Sequence, residues 1–174
     1  IADEIYEHIN FIGKHTSIAE FPSIKDRVVV VNGVSKAYAM TGWRIGYMAA
    51  PEKLSNTLRT LHYYATLCPN IISQKAALAA LTGPQSCVQE MAKEYARRRK
   101  LAISEIGKTK HVSCALPKGA FYVFPNFSDF EKSDDALAVE ILKQAKVVTV
   151  PGSGFGEAGK GHLRISYSSA YEQV

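Results

Sequence analysis

The chain has 174 residues, 47% hydrophobic and 21% charged, with a net charge of +5 and a pI near 9.1. This is the composition of an ordinary globular chain, and it excludes a disordered tail, a collagen-like repeat and a disulfide scaffold. No apolar run approaches the roughly 18 residues of a spanning helix, and the length suits one domain, or one domain plus a piece of another, at about 100–200 residues each.

Residues 28–31 are four valines between Arg27 and Asn32-Gly33. An unbroken β-branched run predicts a strand buried on both faces, as in a parallel sheet. Residues 44–50, RIGYMAA, predict a second short strand, ended by Pro51. Pro51 then starts a helix, since proline is tolerated in a first turn; Leu54, Leu58 and Leu61 follow at helical spacing. Another helix is predicted after Pro69, with Ile72, Ala76, Ala79 and Ala80 on one side, and Gly83-Pro84 breaks it. From 84 to about 107 a long, charge-rich helix carries a loose apolar face of Val88, Met91, Tyr95, Leu101 and Ile106. Strands are predicted over 111–115, 120–124, 147–150 and 163–167. A helix near 133–144 lies between the second and third of these, N-capped by Ser133 or Asp134. This alternation predicts α/β or α+β layers, with a boundary near residue 100.

The densest basic run is Arg97-Arg98-Arg99-Lys100. Glu90, Glu94 and Glu105 share its helix and no aromatic residues are interleaved for base stacking. The run is therefore read as a solvated helix face, and neither nucleic acid nor a membrane is expected as partner. Cys68, Cys87 and Cys114 are odd in number and widely spaced, without C-x-x-C. That suggests neither a metal site nor a disulfide framework and fits a reducing cytoplasm. The five histidines form no metal pair of the H-E-x-x-H kind. The chain opens on Ile1 within an apolar-acidic run and ends at Val174 soon after a strand, so both ends are expected to be cut.

Chemistry concentrates in residues 32–47, NGVSKAYAMTGWRIGY. Lys36 follows a buried-looking strand, in the kind of carboxyl-end loop where α/β proteins bind ligands. A lysine in an apolar site loses part of its preference for the charged form, and a neutral amine attacks carbonyls. Arg44, eight residues on, offers a planar fork for phosphate or carboxylate. A carbonyl compound carrying a phosphate would use both. A competing pattern, G-x-x-x-x-G-K over 154–160, lacks the following Ser/Thr and the following helix of a P-loop. It is read as a flexible glycine-rich loop that closes near substrate.

Gly33-Val34-Ser35-Lys36, two spacers, then Ala39-Met40-Thr41-Gly42-Trp43-Arg44-Ile45-Gly46 resemble the pyridoxal-phosphate attachment signature of class I aminotransferases. SKAYAMTGWRIGY is similar to the bacterial and archaeal aspartate/aromatic branch of fold type I. Asp3-Glu4-Ile5-Tyr6 resembles the family's D-E-x-Y strand end, and residues 161–167, GHLRISY, its substrate-carboxylate strand. The resemblance implies the C-terminal part of a fold type I α/β enzyme. Residues 1–100 would then hold the end of the large domain, with its mixed, mostly parallel sheet, and the interdomain helix. Residues 101–174 would be a small α/β domain truncated at its end.

It further implies that Lys36 is the catalytic lysine and attaches pyridoxal phosphate. Asp3 would contact the pyridine nitrogen, Tyr6 the ring oxygen, Arg44 the phosphate and Arg164 the substrate carboxylate. Some relatives carry a phosphate-binding serine where Gly33 stands, which puts more weight on Arg44. The implied activity is ping-pong transfer of an amino group between an amino acid and a 2-oxo acid by a homodimer. The family's glycine-rich phosphate loop, ring-stacking aromatic and asparagine lie outside this sequence. The alternative is therefore an inactive fragment with weak or no cofactor binding. The residues that select the substrate side chain are not legible.

Overall fold

A computed structural model describes residues 1–174. The chain divides into two compact units, Ile1–Ala92 and Lys93–Val174.

The first unit is built on a three-stranded sheet of order β1-β2-β3: β1 (Ala2–Asp3), β2 (Val30–Gly33) and β3 (Gly46–Ala49). β1 runs parallel to β2, with Asp3 beside Val31, and β3 runs antiparallel to β2, with Gly33 opposite Gly46. The valine run is thus displaced by two residues from its expected place: Val28 and Val29 stay outside the strand and Asn32 and Gly33 join it. Nor is β2 buried on both faces, since Val31 is 39% exposed. Only one of its two pairings is parallel, and a strand with an antiparallel neighbour need not be covered on both sides. β3 begins at Gly46 because Arg44 is held in a left-handed conformation, φ 52°, at the end of a 3-10 turn over Thr41–Trp43.

Helix α1 (Glu52–Thr66) follows Pro51 as expected, yet it buries no residue. Helix α2 (Ile71–Thr82) is capped by Asn70, whose Oδ1 accepts from the Ile72 and Ser73 N–H groups at 2.8 and 3.2 Å. Its buried residues are Ser73 and Ala77, one position round from the expected Ile72/Ala76 side, and Ile72 lies exposed. Helix α3 (Ser86–Ile106) carries Val88, Tyr95 and Ala102 buried at heptad spacing, close to the expected face. The division between the units falls within it. No helix is long and apolar enough to cross a membrane.

The second unit holds β4 (Tyr122–Val123), helix α4 (Asp134–Ala145), β5 (Val150–Pro151) and β6 (Leu163–Ser166). The sheet order is β4-β6-β5, antiparallel throughout. The strand expected over 111–115 is reduced to a single bridge, Ser113 to Asn126, and Asn126 also bridges His162. Ser133 is the cap of α4, its Oγ accepting from Ala136 N–H at 3.2 Å. Leu163, Val123 and Tyr167 form the fully buried centre. The Tyr167 hydroxyl donates to Ala120 O at 3.0 Å, and burial pushes this phenol up to about 12.

The basic run is only partly a solvated face. Hydrogen bonds from Arg97 and Arg98 hold the Glu94 carboxyl down to about 2. Arg98 also donates to Ser168 O and Ser169 O, and Arg99 donates to Pro117 O at 2.7 Å. These two guanidinium groups tie α3 to the chain around Ser168 and around Pro117.

Candidate active site

In the first unit, parallel pairing of β1 with β2 brings the ends of both strands to the same edge of the sheet, as ligand-binding α/β sheets require. Beyond β1 the chain turns through Glu4 to Ile9, closed by Glu7 N–H to Glu4 O at 2.9 Å and Ile9 N–H to Tyr6 O at 2.8 Å. Beyond β2 it turns through Val34 to Ala39, closed by Tyr38 N–H to Val34 O and Ala39 N–H to Lys36 O, both 3.3 Å. The two turns meet: Lys36 Nζ lies 5.8 Å from the centre of the Tyr6 ring. Lys36 and Tyr6 are both half-buried, whereas Asp3 is exposed, with Oδ1 accepting from Ile5 N–H at 3.1 Å.

The lysine turn is held from both sides. Before it, buried Asn32 donates from Nδ2 to Glu7 Oε1 at 2.6 Å and accepts the Gly33 N–H on Oδ1 at 2.7 Å. After it, the Tyr38 hydroxyl donates to Gln85 Oε1 at 2.7 Å. Burial, and then the charge of Glu7, raise the Tyr47 phenol; Tyr38 is raised by burial and Cys87, with a smaller contribution from Glu7. Close packing also decides Gly33. A Cβ there would lie 3.1 Å from Gly46 Cα and 3.3 Å from Ile5 Cδ1.

The turn that starts at Ser17 is fastened to the same region. Glu4, 7% exposed, accepts from Ser17 Oγ at 3.1 Å and Ile18 N–H at 2.9 Å, and His15 Nε2 lies 3.2 Å away. Burial alone would raise this carboxyl, but the Ile18, Ser17 and His15 interactions outweigh it and hold it below the usual range. Between Lys36 and β3, Ala39 and Arg44 both take left-handed backbone conformations, φ 52°. Such conformations in residues with side chains are sustained only where surrounding structure dictates them. Arg44 Nη1 donates to Thr41 O at 2.9 Å, and the side chain is exposed and in no ion pair of the chain.

Arg164 lies in the second unit. It sits on β6 opposite Val150, and its guanidinium carbon is 4.6 Å from the Tyr122 ring centre and 4.8 Å from that of Phe155. It too joins no ion pair. His162, read from the sequence as packing or surface, stacks on Phe124 at 4.9 Å. The glycine-rich segment over 152–161 folds into two 3-10 turns, Gly152–Phe155 and Glu157–Gly159, and leads into β6. Gly152 and Gly159 press together so closely that a Cβ on either would lie 2.0 Å from the other's carbonyl oxygen.

Sequence reasoning passed over Glu7, Asn32, Tyr38 and Phe155, and it gave Glu4 and Asp134 no role beyond a motif position and a candidate helix cap. Only Asn32 left a signal, a polar residue directly after four valines.

A family profile described as "Aminotransferase class I and II" matches residues 1–174. The chain is 44% identical over 177 residues to the putative aminotransferase YugH of Bacillus subtilis. It is 43% identical over 180 residues to an aspartate aminotransferase of Pyrococcus abyssi. Each alignment covers 100% of this chain and 45% of the relative. The crystal structure of an aromatic aminotransferase from Pyrococcus horikoshii matches with a TM-score of 0.93 at 42% identity, over 98% of this chain and 46% of its own. Such structural neighbours are fold type I aminotransferases. The chain spans about half the length of the curated relatives it matches.

Proposed function

Because the chain belongs to the class I and II aminotransferase family, we propose that this protein moves an amino group between an amino acid and a 2-oxo acid, with pyridoxal phosphate as cofactor. The observation that carries the reading is the meeting of two strand-end turns that sets the Lys36 amine 5.8 Å from the Tyr6 ring.

The donor set fits the cofactor. A half-buried amine stands beside a phenol, an exposed carboxylate commits one oxygen to a backbone N–H, and an arginine outside any ion pair is left with donors for an anion. When bound, pyridoxal phosphate supplies an aldehyde carbon that captures amines and a ring that withdraws electrons from the substrate α-carbon. Lys36 Nζ is the point of attachment. Its amine would be the group placed to take a proton from the substrate α-carbon and to return one. Asp3 would hold a proton on the ring nitrogen, and the Tyr6 hydroxyl would donate to the ring oxygen. Arg44 binds the phosphate with its planar fork. Arg164 binds the substrate carboxylate through paired N–H groups.

On this reading the first unit is the end of the large cofactor domain and the second is the small domain. A homodimer is part of the proposal, supported by the exposed apolar residues Leu61, Tyr64, Ile71 and Ile72 on α1 and α2. A cytoplasmic setting is supported by three unpaired cysteines.

The test adds pyridoxal phosphate to the purified chain, follows visible absorption, then reduces with borohydride and maps the labelled peptide. Absorption that borohydride abolishes, with the label on Lys36 and both lost in Lys36→Ala, is the expected result. A label spread over surface lysines, or an unchanged signal in Lys36→Ala, refutes it.

A further inference from the structure

Asp134 is the first residue of α4 and is only 7% exposed. An acid in a first turn ordinarily answers the helix dipole. Here that local duty already belongs to Ser133, which caps the helix through Ala136 N–H. The Asp134 carboxylate is committed elsewhere: Oδ2 accepts the Ser153 N–H at 2.6 Å, across 19 residues of sequence. Ser153 lies in the Gly152–Phe155 turn. The same turn is fastened at its start by Gly152 N–H to His162 O at 2.8 Å and at its end by Gly156 N–H to Ser153 O at 3.1 Å.

Two residues past Ser153 stands Phe155. Its side chain is 53% exposed, so burial does little to hold it. Its ring meets the Arg164 guanidinium at 4.8 Å and the Phe124 ring edge-on at 5.9 Å. Where the ring sits therefore depends on where the turn places its backbone. Tyr122 lies at 4.6 Å from the same guanidinium. Cation–π contacts of this kind are worth about 0.5–2 kcal/mol, rising as water is excluded. A guanidinium has five N–H donors, so one set against two rings keeps donors for a carboxylate.

We propose that Asp134 is a positioning residue for carboxylate binding: by pinning the Gly152–Phe155 turn it sets Phe155 against Arg164 and orders the guanidinium before an anion arrives. A preordered side chain spares binding the entropy of fixing a flexible arginine. This rests on the reading of Arg164 as the substrate-carboxylate residue.

The test uses the full chain, with pyruvate as the probe, and reads two things by NMR: the Arg164 Nε–H resonance and the pyruvate dissociation constant. In the unmodified chain the Nε–H proton is shielded by the neighbouring rings. Asp134→Ala shifts it toward the value of a solvated arginine and weakens pyruvate binding about three- to tenfold, the range a lost cation–π contact supports. Asp134→Asn, which keeps a neutral acceptor, falls between, and Phe155→Leu reproduces the shift. A folded Asp134→Ala chain with an unchanged Arg164 resonance and unchanged pyruvate affinity overturns the proposal. Should Asp134→Ala fail to fold, the same outcome in Asp134→Asn overturns it. Arg164→Gln separates the two layers: if it binds pyruvate as tightly as the unmodified chain, the carboxylate reading fails, while the Asp134→Ala resonance still decides whether Phe155 is positioned.

Discussion

Two glycines of the 152–156 turn respond in opposite directions to the same substitution. A Cβ at Gly152 would lie 2.0 Å from Gly159 O and 2.8 Å from His162 O. Both are backbone atoms, so no side chain can swing aside. The Gly159 carbonyl would have to retreat by more than about 1 Å to reach ordinary contact beyond 3.4 Å. That movement strains the Gly152 N–H to His162 O bond, now 2.8 Å. Overpacking of this kind costs about 1–3 kcal/mol, and a lost hydrogen bond adds about 1 kcal/mol. Gly154, two residues on, has nothing within 4 Å of a built Cβ, and its backbone lies outside the left-handed region. Alanine there stabilises by about 0.4–1 kcal/mol, through fewer unfolded conformations. Urea unfolding followed by far-ultraviolet circular dichroism measures both variants against the parent. Gly152→Ala should lose about 2–4 kcal/mol while Gly154→Ala gains. A Gly152→Ala chain within about 0.5 kcal/mol of the parent, the ordinary range for a surface change, would refute the close packing of the two turns.

Further predictions concern the first unit and the core of the second. Glu4 has its native pKa below the usual carboxylate range, so its contribution to stability is complete above that range and is lost as pH falls through the native value. Glu4→Gln should therefore lower stability at pH 7 and flatten the acid side of the stability–pH curve; an acid limb of unchanged steepness contradicts this. Asn32→Ala leaves the buried Gly33 N–H without its Oδ1 acceptor and should cost about 1–3 kcal/mol by urea midpoint. Asn32→Asp sets two carboxylates together, so its deficit should shrink at acid pH. Leu163→Ala empties a fully buried site, 0% exposed in the parent, and should cost about 2–5 kcal/mol in the same assay.

Much of the chemistry and part of the fold were legible in the residues themselves. Lys36 and Arg44 stood out by residue type and position after predicted strands, Asp3, Tyr6 and Arg164 only through the family resemblance, and the meeting of Lys36 with Tyr6 is what pairing of β1 with β2 produces. Helices α3 and α4 were readable to within a few residues, the latter with its Ser133 cap, because helical periodicity and caps are local properties. Strand limits were less so. Asn32 and Gly33 belong to β2 only because Tyr47 and Gly46 lie opposite them, and no property of residues 28–31 foretells that. The buried side of α2 was missed because its apolar residues surround the helix, so spacing did not single out Ser73 and Ala77.

Glu4 and Asp134 mark the same division more sharply. In sequence one is an acid within a strand-end motif and the other a candidate helix cap. In the folded chain each is buried and holds a distant backbone N–H, of Ile18 and of Ser153. The sequence by itself determined the family motifs and the approximate helices, because residue type and short-range spacing are written along the chain. Only the tertiary structure decided which groups hold those residues still. A buried carboxylate is stable only opposite a donor, and that donor is supplied by a segment 14 or 19 residues away.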